Sequence, residues 1–92
     1  MPPLVSYTNF DHESAYPVPV IASFDAEGHI KPLYVRIDDE RYKIDSYWVR
    51  NKFINIIEFN CRLQAGERLI PLLLIYYQKE SIWTIPRRSR AP

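Results

Sequence analysis

The sequence predicts an all-β domain: a small six-stranded antiparallel meander, closed or half-closed into a barrel of SH3-like or OB-like type. Three observations predict it. Apolar side chains recur at every second position over most of Val20 to Ile85. Turn signals divide the chain at Asp25-Ala26-Glu27-Gly28, Asp38-Asp39-Glu40, Gln64-Ala65-Gly66-Glu67 and Gln78-Lys79-Glu80. Hydrophobic residues make up 47% of the chain and aromatic residues 14%, which excludes a disordered composition.

Residues 1–16 show no sustained period and are expected to form a flexible leader, which Phe10 and Tyr16 could anchor. The domain is expected over 17–86 and a basic tail, with Arg87, Arg88 and Arg90, over 87–92. The first strand places Val20, Ala22 and Phe24 on one side, and Pro19, lacking an amide donor, starts it at an edge. The second runs from Ile30 to Ile37. Leu33, Val35 and Ile37 share one face, and Tyr34 and Arg36 the other. Arg41 to Asp45 alternates, with Tyr42 and Ile44 inward and the charges outward. Ser46 to Lys52 breaks the alternation, as a long loop, a bulged strand or a register change would. Phe53 to Leu63 is the longest alternating segment, with Ile57, Phe59, Cys61 and Leu63 opposed to Glu58, Asn60 and Arg62. Arg68 to Tyr77 is apolar on both faces, and Pro71 within it implies a bulge or an edge. Ser81 to Ile85 is the last strand, stopped by Pro86.

Several chemistries lack their residues. One cysteine excludes an internal disulfide framework and, with only two histidines, leaves no structural zinc set. A small domain without disulfides fits a reducing cytoplasm. Leu69 to Tyr77, the longest apolar stretch, is nine residues, against about 20 for a membrane-spanning helix. Asp11-His12-Glu13-Ser14 offers acid, base and hydroxyl, but in a leader with no scaffold to hold them. Cys61 shares its parity with Phe59 and Leu63, so it reads as core rather than nucleophile. Two glycines supply no phosphate loop. No enzyme, cofactor, metal or membrane association is therefore expected.

Surface composition carries the functional reading. Residues 1–40 hold two bases and seven acids, whereas residues 41–92 hold ten bases and four acids. Either the strands interleave and neutralise these halves or the asymmetry marks a binding face. Tyr47-Trp48-Val49-Arg50-Asn51-Lys52 concentrates residue types enriched at protein interfaces. Tyr47, Trp48, Arg50 and Lys52, the acidic turn Asp38, Asp39 and Glu40, or a sheet edge would form the protein-binding elements. Trp48 counts there only when exposed; the competing expectation, slightly favoured, is that it plugs one end of the barrel. A second set suits single-stranded nucleic acid. Tyr34, Arg36, Arg41, Lys43 and Arg62 fall on the outward parity of neighbouring strands, where rings stack bases and cations meet phosphates; Tyr76 or Tyr77 could join them. Pairing of sheet edges would make a homodimer.

The run from Phe24 to Ile37, FDAEGHIKPLYVRI, followed by Arg41-Tyr42-Lys43-Ile44, Leu74-Ile75-Tyr76-Tyr77 and Ser81-Ile82-Trp83-Thr84-Ile85, resembles short hypothetical proteins of Gram-positive bacteria, many of them on mobile elements. The resemblance covers most of residues 20–85, and its motifs are generic to small β-meanders. It brings no catalytic residues. It implies a stand-alone accessory role, including that of an inhibitor of host defence such as an anti-CRISPR protein.

Overall fold

A computed structural model describes residues 15–86. Residues 1–14 of the expected leader, with Phe10 and His12, and the tail at 87–92 lie outside them. Seven antiparallel strands form one sheet that curls into a half-barrel: β1 (Ala15–Pro17), β2 (Val20–Phe24), β3 (Ile30–Ile37), β4 (Glu40–Lys52), β5 (Ile56–Ala65), β6 (Arg68–Tyr77) and β7 (Ile82–Pro86). No helix occurs among the described residues. The strand order is β1-β7-β6-β5-β4-β3-β2. The predicted six strands become seven because Ala15 and Tyr16, assigned to the leader, pair with β7 through Ala15↔Pro86 and Tyr16↔Ile85.

Turn chemistry sets the register. Asp38 and Asp39 both take positive φ, 53° and 67°, and link Ile37 to its partner Glu40. Two such residues make the loop whose twist matches its flanking strands, and aspartate tolerates that backbone better than most side chains. Glu40 thus belongs to a strand rather than to the turn. Gly66, at φ 64°, joins β5 to β6. That ladder then runs without a slip from Ala65↔Arg68 to Ile56↔Tyr77. It passes straight through Arg62↔Pro71, so Pro71 causes no bulge. β7 pairs with β6 only at Ile75–Tyr77, which leaves Pro71 on an open edge, one of the two outcomes expected of it.

Three irregularities redirect side chains. Leu33 has no partner between Ile21↔Tyr34 and Ala22↔Pro32. The extra residue flips the parity, so Pro32 is buried with Val35, and Leu33 stays outside the core cluster it was expected to join. Asp45 and Arg50 interrupt β4 in the same way. Ser46 to Lys52 is therefore neither a loop nor a new element but the bulged second half of a 13-residue strand. The segment read as one strand from Phe53 begins at Ile56, and Phe53, Ile54 and Asn55 form the hairpin tip. The Phe53 amide closes that tip by donating to the Ile56 carbonyl at 2.7 Å.

The interior gathers Val35, Ile44, Ile57, Phe59, Cys61, Leu63, Leu74, Tyr76, Trp83 and Ile85. Phe59, Trp83 and Tyr76 form a chain of tilted rings with centroids 5.6 and 4.5 Å apart. Phe24 is 59% exposed, yet its ring meets Tyr76 edge-on at 6.2 Å. Two residues draw the edges of the curl together. The Val18 amide donates to the Trp83 carbonyl on β7 at 2.9 Å, and the Pro19 carbonyl accepts from the Arg36 amide on β3 at 3.1 Å. A smaller cluster of Ala15 and Tyr77, with Ile56 and Ile75 against it, sits apart from the interior.

Leu74 is fully buried opposite Phe59. Its replacement by Ala is expected to cost about 2–5 kcal/mol, read from urea unfolding; a loss below about 1 kcal/mol would remove it from the core.

Candidate functional site

The outer face of β3, β4 and β5 assembles most of the predicted residues. Arg36 stands directly opposite Arg41, and Tyr34 opposite Lys43, which in turn faces Gln64. Further along, Ser46 faces Arg62 and Trp48 faces Asn60. Two diagonal contacts repeat one motif. The Arg41 guanidinium lies 5.3 Å from the Tyr34 ring centroid, and that of Arg62 lies 5.2 Å from Trp48. Such cation–ring pairs contribute about 0.5–1 kcal/mol at exposed sites. No ion pair ties Arg36, Arg41, Lys43 or Arg62 to an acid among the described residues.

Trp48 is 46% exposed on this face. It does not plug the barrel, because the bulge at Asp45 shifts the parity of everything after Ile44. Tyr47 turns inward instead, half-buried and edge-on to Phe59 at 5.9 Å. The protein-binding set therefore splits. Trp48, Arg50 and Lys52 are exposed toward one end of β4, whereas Asp38, Asp39 and Glu40 are exposed at the other, roughly 25–40 Å away at ~3.3 Å per residue. Of the nucleic-acid set, Tyr34, Arg36, Arg41 and Lys43 are neighbours, and Arg62 lies two residues along β5 from Gln64, the partner of Lys43. Tyr76 and Tyr77 are both buried and do not extend it.

Two features escaped the sequence reading. Val49, Phe53 and Ile54 are exposed around the β4–β5 tip, Ile54 by 91%. Phe and Ile following an apparent alternation look like strand interior, so only the bulge at Arg50 distinguishes them. The second feature is the unpaired side of β4. β3 pairs with β4 only from Glu40 to Lys43, and among the described residues the rest of the strand carries β5 on one side and no strand on the other. The next rung would pair Leu33 with Ile44, but Leu33 is the residue that bulges out of β3 against β2.

Cys61 and Asp25 titrate away from their ordinary values. Burial pushes the Cys61 thiol up from 9.0 to about 12. The Asp25 carboxyl is lowered, first by the His29 backbone amide, which offsets the opposing desolvation, and then by the His29 ring and the Glu27 amide. Asp25 Oδ1 accepts from the amides of Glu27 and His29 at 3.0 and 2.8 Å, and Oδ2 lies 3.0 Å from His29 Nδ1. Asp25, Glu27 and His29 place their ligand atoms within 4.8 Å of one another, all exposed. The Asp25 oxygens already serve as a clamp for that turn.

The chain matches no protein-family model, and no curated protein and no solved structure is significantly similar to it. No helix among the described residues is long and apolar enough to cross a membrane.

A thiol reagent at pH 8 is expected to leave Cys61 unmodified in the folded chain and to label it on unfolding. Because the unfolded thiol ionises first, stability is expected to fall as pH rises from 9.0 toward about 12. Rapid labelling of the folded protein would contradict the burial.

Proposed function

We propose that the protein is a non-enzymatic binding module that engages a protein partner through the second half of β4 and the adjoining hairpin tip. One observation carries this reading: a strand side without a neighbour among the described residues runs beside exposed Trp48, Val49, Phe53 and Ile54 and the cations Arg50 and Lys52. Aromatic and arginine side chains at a free edge suit strand addition, in which backbone bonds supply affinity and alternate side chains supply choice. The bulges at Asp45 and Arg50 keep the regular part of this edge short, which guards against uncontrolled pairing. The titration pattern suits a binding role, since the buried thiol is held protonated and the perturbed carboxyl is engaged in its own turn. The partner is sought in a reducing compartment such as the cytoplasm. By the family resemblance, a host-defence protein such as a CRISPR nuclease is the first to test. Pairing with a second copy at the same edge is the competing use of it.

A second reading is favoured by a separate observation, the unpaired cations stacked with Tyr34 and Trp48 on the outer face. A curled sheet of OB-like type holds single strands in this manner. Tyr34, Arg36, Arg41, Lys43 and Arg62 are its contact residues.

The two readings separate by mutation. For a protein partner isolated from lysate, Trp48→Ala or Phe53→Ala is expected to cost about 2 kcal/mol of affinity, with melting temperature unchanged, and Arg36→Gln to cost little. Affinity indifferent to Trp48 and Phe53 would remove this surface from the contact. For nucleic acid, binding of an oligonucleotide should weaken steeply with salt, and Arg62→Gln should reduce the log–log slope by about 0.7. Absence of any complex at low salt would end the second reading.

A further inference from the structure

At the corner where Pro19 crosses from β7 toward β3, a cleft of about 360 Å³ opens beside the acidic turn. Pro19, Val20, Ile21 and Val35 give it apolar walls. Arg36, Arg41, Tyr34 and Asp39 supply its polar groups. Its volume lies at the small end of small-molecule sites and exceeds what a bare phosphate fills.

The two arginines are the unexpected part. They face each other directly across the β3–β4 ladder, and like charges so placed repel. The strands have no freedom to slip apart, because the Asp38–Asp39 loop fixes the register on one side and Lys43 still pairs with Tyr34 on the other. Neither guanidinium forms an ion pair among the described residues. The fold therefore holds two forks of donors side by side at the mouth of an apolar cleft, where a dianion would convert their repulsion into bidentate attraction. Arg41 already lies over the Tyr34 ring. Flat rings stack on guanidinium planes as they do on aromatic side chains. Asp39, at the rim, offers an acceptor of the kind that binds sugar hydroxyls.

We infer that this cleft binds a phosphorylated nucleoside, with the phosphate on Arg36 and Arg41, the base against the Arg41–Tyr34 stack, and the sugar toward Asp39. The site is separate from the β4 tip. It shares residues with the nucleic-acid reading but does not require a long strand, so the same chemistry can come from a free nucleotide or from the end of a single strand.

Calorimetric titration of the full chain at low salt tests the inference with four probes: adenosine 5′-monophosphate, adenosine, inorganic phosphate and an eight-nucleotide single strand. The nucleotide is expected to bind about tenfold tighter than the nucleoside or phosphate, and Arg36→Gln or Arg41→Gln to lose about tenfold. Trp48→Ala should leave nucleotide affinity unchanged, which keeps this result independent of the protein-binding surface. Without ligand, Arg36→Gln should melt no lower than the parent chain, since it removes the repulsion and leaves the Arg41–Tyr34 contact in place. The single strand should compete with the nucleotide when its terminus is the source, and should leave it bound when the free nucleotide is. A nucleotide that binds no tighter than inorganic phosphate would overturn the inference. So would equal affinity in Arg41→Gln, or a lower melting point of Arg36→Gln without ligand.

Discussion

The β3–β4 ladder stops after four rungs, and much of the molecule follows from where it stops. The rung that would continue it pairs Leu33 with Ile44, but Leu33 bulges out of β3 and Asp45 bulges out of β4 just beyond. Freed from β4, the far end of β3 carries β2 with it. The sheet curls, and the Val18–Pro19 corner reaches β7 on one side and β3 on the other. The same break leaves the remainder of β4 with a side that no strand covers among the described residues. Curvature, interior and exposed edge thus share one cause.

A small interior has to be efficient. A domain of about 70 residues buries only ~60% of the surface its unfolded chain exposes. The chain compensates with rings that bury about 150–250 Å² each. Phe59, Tyr76 and Trp83 occupy the middle of the curl, and Cys61 fills the remaining space as a small hydrophobe. The raised thiol pKa reflects that burial, with no cation nearby to offset it.

Periodicity made the all-β class legible, along with the inward set Ile57, Phe59, Cys61 and Leu63 and the outward set Arg36, Arg41, Lys43 and Arg62. It failed where the period itself breaks. A bulge adds one residue and reverses every face after it, and nothing local in Ile44-Asp45-Ser46 or Pro32-Leu33-Tyr34 announces the insertion. Leu33 was therefore placed in the core, and Trp48 was left between core and surface. The apolar tip at Phe53 and Ile54 was hidden for the same reason, since those residue types read as strand. The seventh strand was missed because three residues, two of them Ala and Pro, carry no period to detect. The cleft at Arg36 and Arg41 depends on a pairing between strands, and parity alone gives a residue's face but not the residue opposite.

Amide hydrogen exchange resolved by residue along β4 tests this account most directly. Alternate amides between Ser46 and Lys52 should be protected by β5, and those between them should exchange at rates close to an open chain, while Lys43, which has a strand on both sides, exchanges slowly. Uniform protection from Ser46 to Lys52 would mean that another strand covers the edge, and would contradict the break on which the curl and the binding surface are built.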